Sequence, residues 1–354
     1  MEALHEGVLT ALEEVFGDRL KRRPPGRMGP ASDGALASVF PTSAEEVALL
    51  ARTAERYSVP LAVLGAETTP ETPAKEGKIL VRFDLMRGLW LPDADEPWAE
   101  AEPGALWLEL DNDLRLRGRG LTVYPTSAPR ATVGGWLAQD GIGVGSFEYG
   151  RLRENVVSAD VVMPDGERLS VGGDELGSVV GPEGAGGIVV GARLSTRYAE
   201  DDTPCALAFK GHEELAGAVA SVFGAGVPLW HLGFLSPEMA RIRGLGEEYL
   251  LFGAYPGERD APTGEGLREV ASSTGGRMLP STEAYRVWGE RFFPIAPSRP
   301  TPSLSDRVFV PVTEISASLK ERSAMAVQGT VARSGEILLL AFDVREQDWT
   351  QKGR

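Results

Sequence analysis

The sequence predicts an α+β protein built in two successive parts, on three observations. Between residues 41 and 198, short β-rich runs alternate with amphipathic stretches and turn signals. Beyond a polar break at EDDTP, near residue 200, the runs follow the order strand, helix, strand, strand, helix, strand. Finally, 43 glycines and 25 prolines are spread along 354 residues, which implies many short elements joined by turns and no low-complexity tract. A content of 42% hydrophobic and 25% charged residues is that of a globular protein, and the length allows two or three domains.

Residues 1–20 read as a helix, and the Pro/Gly-rich segment 21–38 as an irregular link. In PTSAEEVALLARTAERYSVPLAVLG (41–65), Ser43 and Glu46 have the spacing of a capping box. Val47, Leu49, Leu50 and Ala54 give that helix its apolar face, and Val59–Leu64 follow as a short strand. Further strands are expected within 79–91 and 97–110, with a turn at Pro103-Gly104 and Trp90, Trp98 and Trp107 packing on strand faces. A helix through LELDNDLRLRGRG ends at Gly118 or Gly120, and LTVYPTS (121–127) returns extended. In NVVSADVVMPDGERLSVGG (155–173) two β-rich runs flank Pro164-Asp165-Gly166, a hairpin signal, and 186–198 is one more strand.

The second part places strands in CALAFKG, PLWHLGFLS, EYLLFGAYPG and GRMLPS, with helices in HEELAGAVASVFGAG and GEGLREVASSTGG. That order is the ferredoxin-like arrangement. A Pro/Ser tract at 296–306 leads to strand-like RVFVPV and EILLLAF around a helix. The domains expected are therefore 1–200, 201–295 and a C-terminal segment 296–354.

A net charge of −15 argues against a nucleic-acid binder and against adhesion to anionic lipid. The acidic N-terminus has no signal-peptide pattern, no apolar run is long enough to span a bilayer, and the single Cys205 fits a reducing cytoplasm as a buried thiol. His5, His212 and His231 match no metal-ligand spacing, so no metal site is expected.

The densest glycine cluster is TVGGWLAQDGIGVGSFEYG (132–150), with six glycines in nineteen residues. Either the chain turns sharply there or a ligand lies against its backbone. The run from YPTSAPRATVGG through PDGERL to GPEGAGGIV (181–189) resembles the FAD-binding domain of the vanillyl-alcohol oxidase/PCMH family. Within that family it looks most like the flavin subunits of glycolate oxidases and D-lactate dehydrogenases, and among these like the accessory flavin subunits of glycolate oxidases. The resemblance covers residues 1–200 well and the rest in outline. It implies a PCMH-type domain of two α/β subdomains followed by a short ferredoxin-like cap.

It also implies a cofactor site for non-covalent FAD. Gly65, with Thr68 and Thr69, lies in the first loop; Pro125, Thr126 and Ser127 form PTS; Thr132, Val133, Gly134 and Gly135 form TVGG. Gly145, Ser146 and Tyr149 follow, and Ile188 and Val189 offer backbone to a ring edge. A pyrophosphate favours a trough of backbone N–H groups, and the hydroxyls of Thr126, Ser127, Thr132 and Ser146 can bond phosphate, ribose or ring oxygens. Trp136 either covers the cofactor or fills core space.

Two departures from the family pattern stand out. The first loop reads LGAETTPET (64–72) where the family has a stretch close to P-R-G-G-G-T. Glu67 and Glu71 bring negative charge, and Pro70 and Pro73 remove amide donors. In addition, the family's metal-binding H-x-G-D-G-N-x-H segment does not occur in this sequence, and no catalytic base is identified. Arg291 and Arg299 are candidates for a substrate carboxylate, though exposed arginines are the commoner case. Three functions stay open. The first is an FAD-binding subunit of a 2-hydroxy-acid oxidoreductase complex with flavin and iron–sulfur partner subunits. The second is a flavin-free assembly subunit, and the third a stand-alone FAD oxidase or dehydrogenase.

Overall fold

The computed structural model describes residues 2–22, 34–66, 77–91, 96–181, 187–199, 202–293 and 303–344. Thr68 and Thr69, the charged and proline positions of the first loop, Arg299 and most of GPEGAGG lie outside them. The chain forms two compact units, each discontinuous in sequence. The first comprises 1–117, 128–141 and 155–197; the second comprises 118–127, 142–154 and 198–354.

The first unit holds two sheets. In one, Leu20–Arg22 pairs antiparallel with Ala37–Val39, which runs parallel to Ile79–Arg82, itself parallel to Leu61–Leu64. The helices Glu2–Phe16 and Ala44–Arg56 cover this sheet, burying Val8, Leu12, Phe16, Val47 and Leu50 against Val39, Ile79 and Val81. The first helix stops at Phe16, short of the expected residue 20, because Gly17 turns the backbone to φ +50° and Leu20 begins a strand. Half of the capping box forms: Ser43 Oγ accepts from the Glu46 N–H at 3.3 Å. The Glu46 carboxylate turns instead to the Thr42 N–H and to Arg19, whose guanidinium holds it down to about 2.

The other sheet runs Leu89–Trp90, Trp98–Ala101, Ile188–Tyr198, Val156–Val162, Arg168–Gly172, antiparallel throughout. The hairpin read from Pro164-Asp165-Gly166 is present, with Gly166 at φ +81°. Trp107 was expected on a strand face; instead it opens the helix Trp107–Arg115 and is fully buried. Trp90, by contrast, is exposed.

The second unit is one antiparallel sheet of seven strands among the described residues. Its order is Arg277–Met278, Asp202–Phe209, Tyr249–Pro256, His231–Leu235, Ala326–Val331, Glu336–Asp343, Ser303–Pro311. The first four stand in the ferredoxin-like order fourth-first-third-second, as the element sequence predicts. Helices His212–Ala225, Asp260–Thr274 and Ile315–Glu321 bury Val219, Leu267 and Leu319 on one face. Pro237–Ile242 and Ser281–Gly289, which the sequence reading did not find, bury Met239, Ala284 and Val287 on the other. Of the segment expected extended at 121–127, only Leu121 belongs to a strand, Arg119–Leu121.

Candidate functional site

The first unit brings Gly65, Thr132, Gly134 and Gly135 together. Thr132 caps the short helix Val133–Leu137, its Oγ1 accepting from the Gly135 N–H at 3.3 Å. A Cβ on Gly65 would stand 3.1 Å from the Gly135 Cα, and one on Gly135 2.9 Å from Thr132 Oγ1. One on Gly134 would stand 2.8 Å from Pro103 Cβ. Both strips of backbone therefore touch closely, and a side chain at any of these glycines would force its neighbours to shift.

The expected trough of free amides is not what TVGG supplies. The Val133 N–H donates to the Ala105 carbonyl (2.8 Å), Gly134 to Pro103 (2.9 Å) and Trp136 to Thr132 (3.2 Å). With Gly135 spent on the cap, this turn offers shape in place of N–H donors. Trp136 packs edge-on against Trp107, centroids 5.0 Å apart, and its indole occupies the space a side chain at Gly141 would need. It belongs to the core. Ile188 and Val189 are half-buried at the start of their strand, beside a register shift between Val189 and Gly191.

The second unit brings PTS and the later glycines together. Tyr124 and Val144 exchange both backbone hydrogen bonds, at 3.0 and 2.7 Å. A Cβ on Gly143 would stand 2.2 Å from the Tyr124 carbonyl oxygen and 3.0 Å from Pro125 Cα. Gly145 adopts φ +89°, and a Cβ there would meet the Thr122 carbonyl oxygen at 2.0 Å. Ser146 is fully buried and its Oγ accepts from the Gly143 N–H (2.9 Å). Thr126 is buried, its carbonyl accepting from the Phe293 N–H (2.7 Å). Tyr149 is half-buried at the end of the helix Ser146–Tyr149.

Near that segment Arg291 stacks between Trp288 (4.3 Å) and Phe292 (4.1 Å) and donates from Nε to the Tyr124 hydroxyl (3.3 Å). His231 lies beneath Trp288 with Nδ1 unpaired among the described residues. Burial, aided by the Arg291 charge, pushes its pKa down to about 3, so it is neutral. Cys205 is buried as expected, and burial pushes its thiol up to about 12. Among the described residues, no group of three His, Cys, Asp or Glu can hold a metal ion, and no helix is long and apolar enough to cross a membrane.

Whether these residues suit a bound dinucleotide turns on access to backbone. Gly65, Thr132, Gly134 and Gly135 remain partly exposed although a Cβ would be crowded at all three glycines. Such a surface admits a ligand to backbone contact and rejects side chains. The residues fit. The family comparison agrees: residues 35–172 match the model described as FAD binding domain. By that match, residues 35–172 are an FAD binding domain.

The chain is homologous to FAD-linked oxidoreductases. It is 32% identical over 162 residues to the mitochondrial D-lactate dehydrogenase [cytochrome] of Arabidopsis thaliana, covering 43% of this chain and 28% of that one. With the D-lactate dehydrogenase of Archaeoglobus fulgidus it shares 28% over 238 residues, 62% of this chain and 53% of the relative. These matches span about half the relatives' length or less. The structure of p-cresol methylhydroxylase with substrate bound superposes with a TM-score of 0.75 at 13% identity, covering 97% of this chain and 84% of that one. At that identity the likeness shows the fold. FAD is the cofactor of this domain family.

What the sequence reading missed are the charged residues that hold the glycine-rich segment in the second unit, Arg259 among them. Its guanidinium makes a two-bond pair with Glu148, both at 2.9 Å. Nothing local marks such a pair, because its members lie 111 residues apart.

Proposed function

We propose that this chain is the FAD-binding subunit of a 2-hydroxy-acid oxidoreductase of the glycolate/lactate type. It would act in the cytoplasm beside flavin and iron–sulfur partner subunits. The observation that carries the reading is the partly exposed contact of Gly65 with Thr132 and Gly135, the place where a cofactor can lie on bare backbone. FAD, when bound, takes up an electron pair from substrate and releases electrons singly.

The chain's own residues would bind and orient. Gly65, with Thr68 and Thr69 of the first loop, Thr132, Val133, Gly134 and Gly135 would line the dinucleotide, and Ile188 and Val189 would present backbone. Taken by itself, the second unit offers Pro125, Thr126, Ser127, Gly145, Ser146 and Tyr149 as the further cofactor contacts that the resemblance implies. Arg291, held flat by two aromatic rings, supplies a fixed cation for a substrate carboxylate. Neutral His231 beside it adds no competing positive charge.

The test is a visible absorbance spectrum of the purified chain before and after incubation with FAD and desalting. Retained flavin bands are expected. A colourless protein that refuses FAD overturns the reading in favour of an assembly subunit. Turnover of glycolate or D-lactate with a dye acceptor by the chain alone would replace the subunit role with that of a stand-alone dehydrogenase.

A further inference from the structure

The segment 142–154 carries Gly145, Ser146 and Tyr149, yet has little to hold its own shape. Its helix is four residues long, and Gly145 and Gly150 both sit at positive φ. A single turn has no cooperative stability, so its placement must come from outside. Backbone bonds to Tyr124 and Trp230 fix its first half, and three ion pairs with the Arg333 N–H bond fix the rest, all within the second unit.

Arg333 grips the segment twice. Its N–H donates to the Ser146 carbonyl at 2.8 Å, and its guanidinium pairs with Glu154. Glu154 in turn accepts from the Arg151 N–H at 2.7 Å and lies under Gly150, where a Cβ would stand 2.1 Å from Oε1. Arg151 reaches the other way and pairs with Glu336. Arg333 and Glu336 flank the tight turn Ala332–Glu336, in which the Gly335 N–H bonds the Ala332 carbonyl and Gly335 takes φ +80°. At the opposite end Arg259 holds Glu148 with both members only a quarter exposed. Pairs with two bonds and partial burial fix geometry better than isolated surface pairs do.

We propose that Arg333, Glu336 and Arg259, paired with Glu154, Arg151 and Glu148, form a clasp that positions the Ser146–Tyr149 segment for the cofactor. These are positioning residues; none of them is placed in contact with FAD. The inference rests on the cofactor reading given above.

The test uses the full chain with Arg333→Ala, Arg333→Lys and Glu336→Gln. Amide hydrogen exchange over 142–154 is measured without FAD, then FAD affinity and the visible circular dichroism of the bound flavin. Arg333→Ala is expected to speed exchange in that segment alone, to weaken FAD binding on the order of tenfold and to change the flavin dichroism. Glu336→Gln should do the same more weakly, and Arg333→Lys should recover much of each effect by keeping the charge. Unchanged exchange at 142–154 in Arg333→Ala overturns the proposal. So does faster exchange spread evenly over the sheet, or an unaltered flavin dichroism, because either marks a role in general stability only. A wild-type chain that takes up no FAD defeats the cofactor reading, and with it the cofactor half of this proposal. The exchange data still decide whether the clasp holds the segment.

Discussion

The glycine-rich stretch is one run in the sequence and two objects in the structure. Residues 132–141 belong to the first unit and are held by neutral forces: a threonine cap, amides paired with carbonyls of 103–105, and two tryptophans edge to face. Residues 142–150 belong to the second unit and are held by left-handed glycines and charged pairs. One composition thus serves two purposes. In the first half glycine permits close contact at ordinary dihedrals; in the second it does so at Gly143 and also supplies the positive φ of Gly145 and Gly150.

That contrast can be broken at four places. Trp107→Ala should have the largest effect, about 3–5 kcal/mol in denaturant unfolding, because it empties a fully buried site. It also removes the indole N–H bond to the Thr132 carbonyl. Gly145→Ala should cost about 3 kcal/mol, since the new methyl meets a backbone carbonyl that has nowhere to go. Equal stability of this variant and wild type would show that the second half tolerates side chains after all.

His231 sharpens the comparison through pH. Its folded pKa lies near 3, below the ordinary 6.5, so the unfolded chain binds the extra proton between those values. Its contribution is fully present above pH 6.5 and is lost as pH falls toward 3, at up to about 1.4 kcal/mol per unit. Thermal melts of His231→Phe should show a flatter acid limb than wild type across that window. The smallest effect belongs to Thr132→Ala. Loss of one cap should cost about 1 kcal/mol, read as a modest drop in melting temperature.

Much of the fold could be read from local signals. Ser43 announced its helix, Pro164-Asp165-Gly166 its hairpin, and the β-α-β-β-α-β order its sheet. The misses share a cause. Ala326–Val331 was not recognised as a strand; only a helix was expected between RVFVPV and EILLLAF. In the structure the Gln328 amide oxygen accepts from buried Arg243, and the Phe234 ring fills the space beside Gly329. Trp107 has strand-like neighbours, but Leu110 and Leu114 bury on its helix face. For the candidate site, glycine positions were legible and their reasons were not. Whether a glycine serves a ligand, a neighbouring chain or a dihedral depends on atoms distant in sequence.

The clasp also has a consequence for biosynthesis. Its pairs bridge separations of 179 and 185 residues, so the segment containing Ser146 is translated long before Arg333 and Glu336 leave the ribosome. Loops of that length close slowly relative to local turns. A nascent chain therefore carries residues 142–154 with at most the Arg259 arm of the clasp, 111 residues away, until the Arg333 and Glu336 arms have been made.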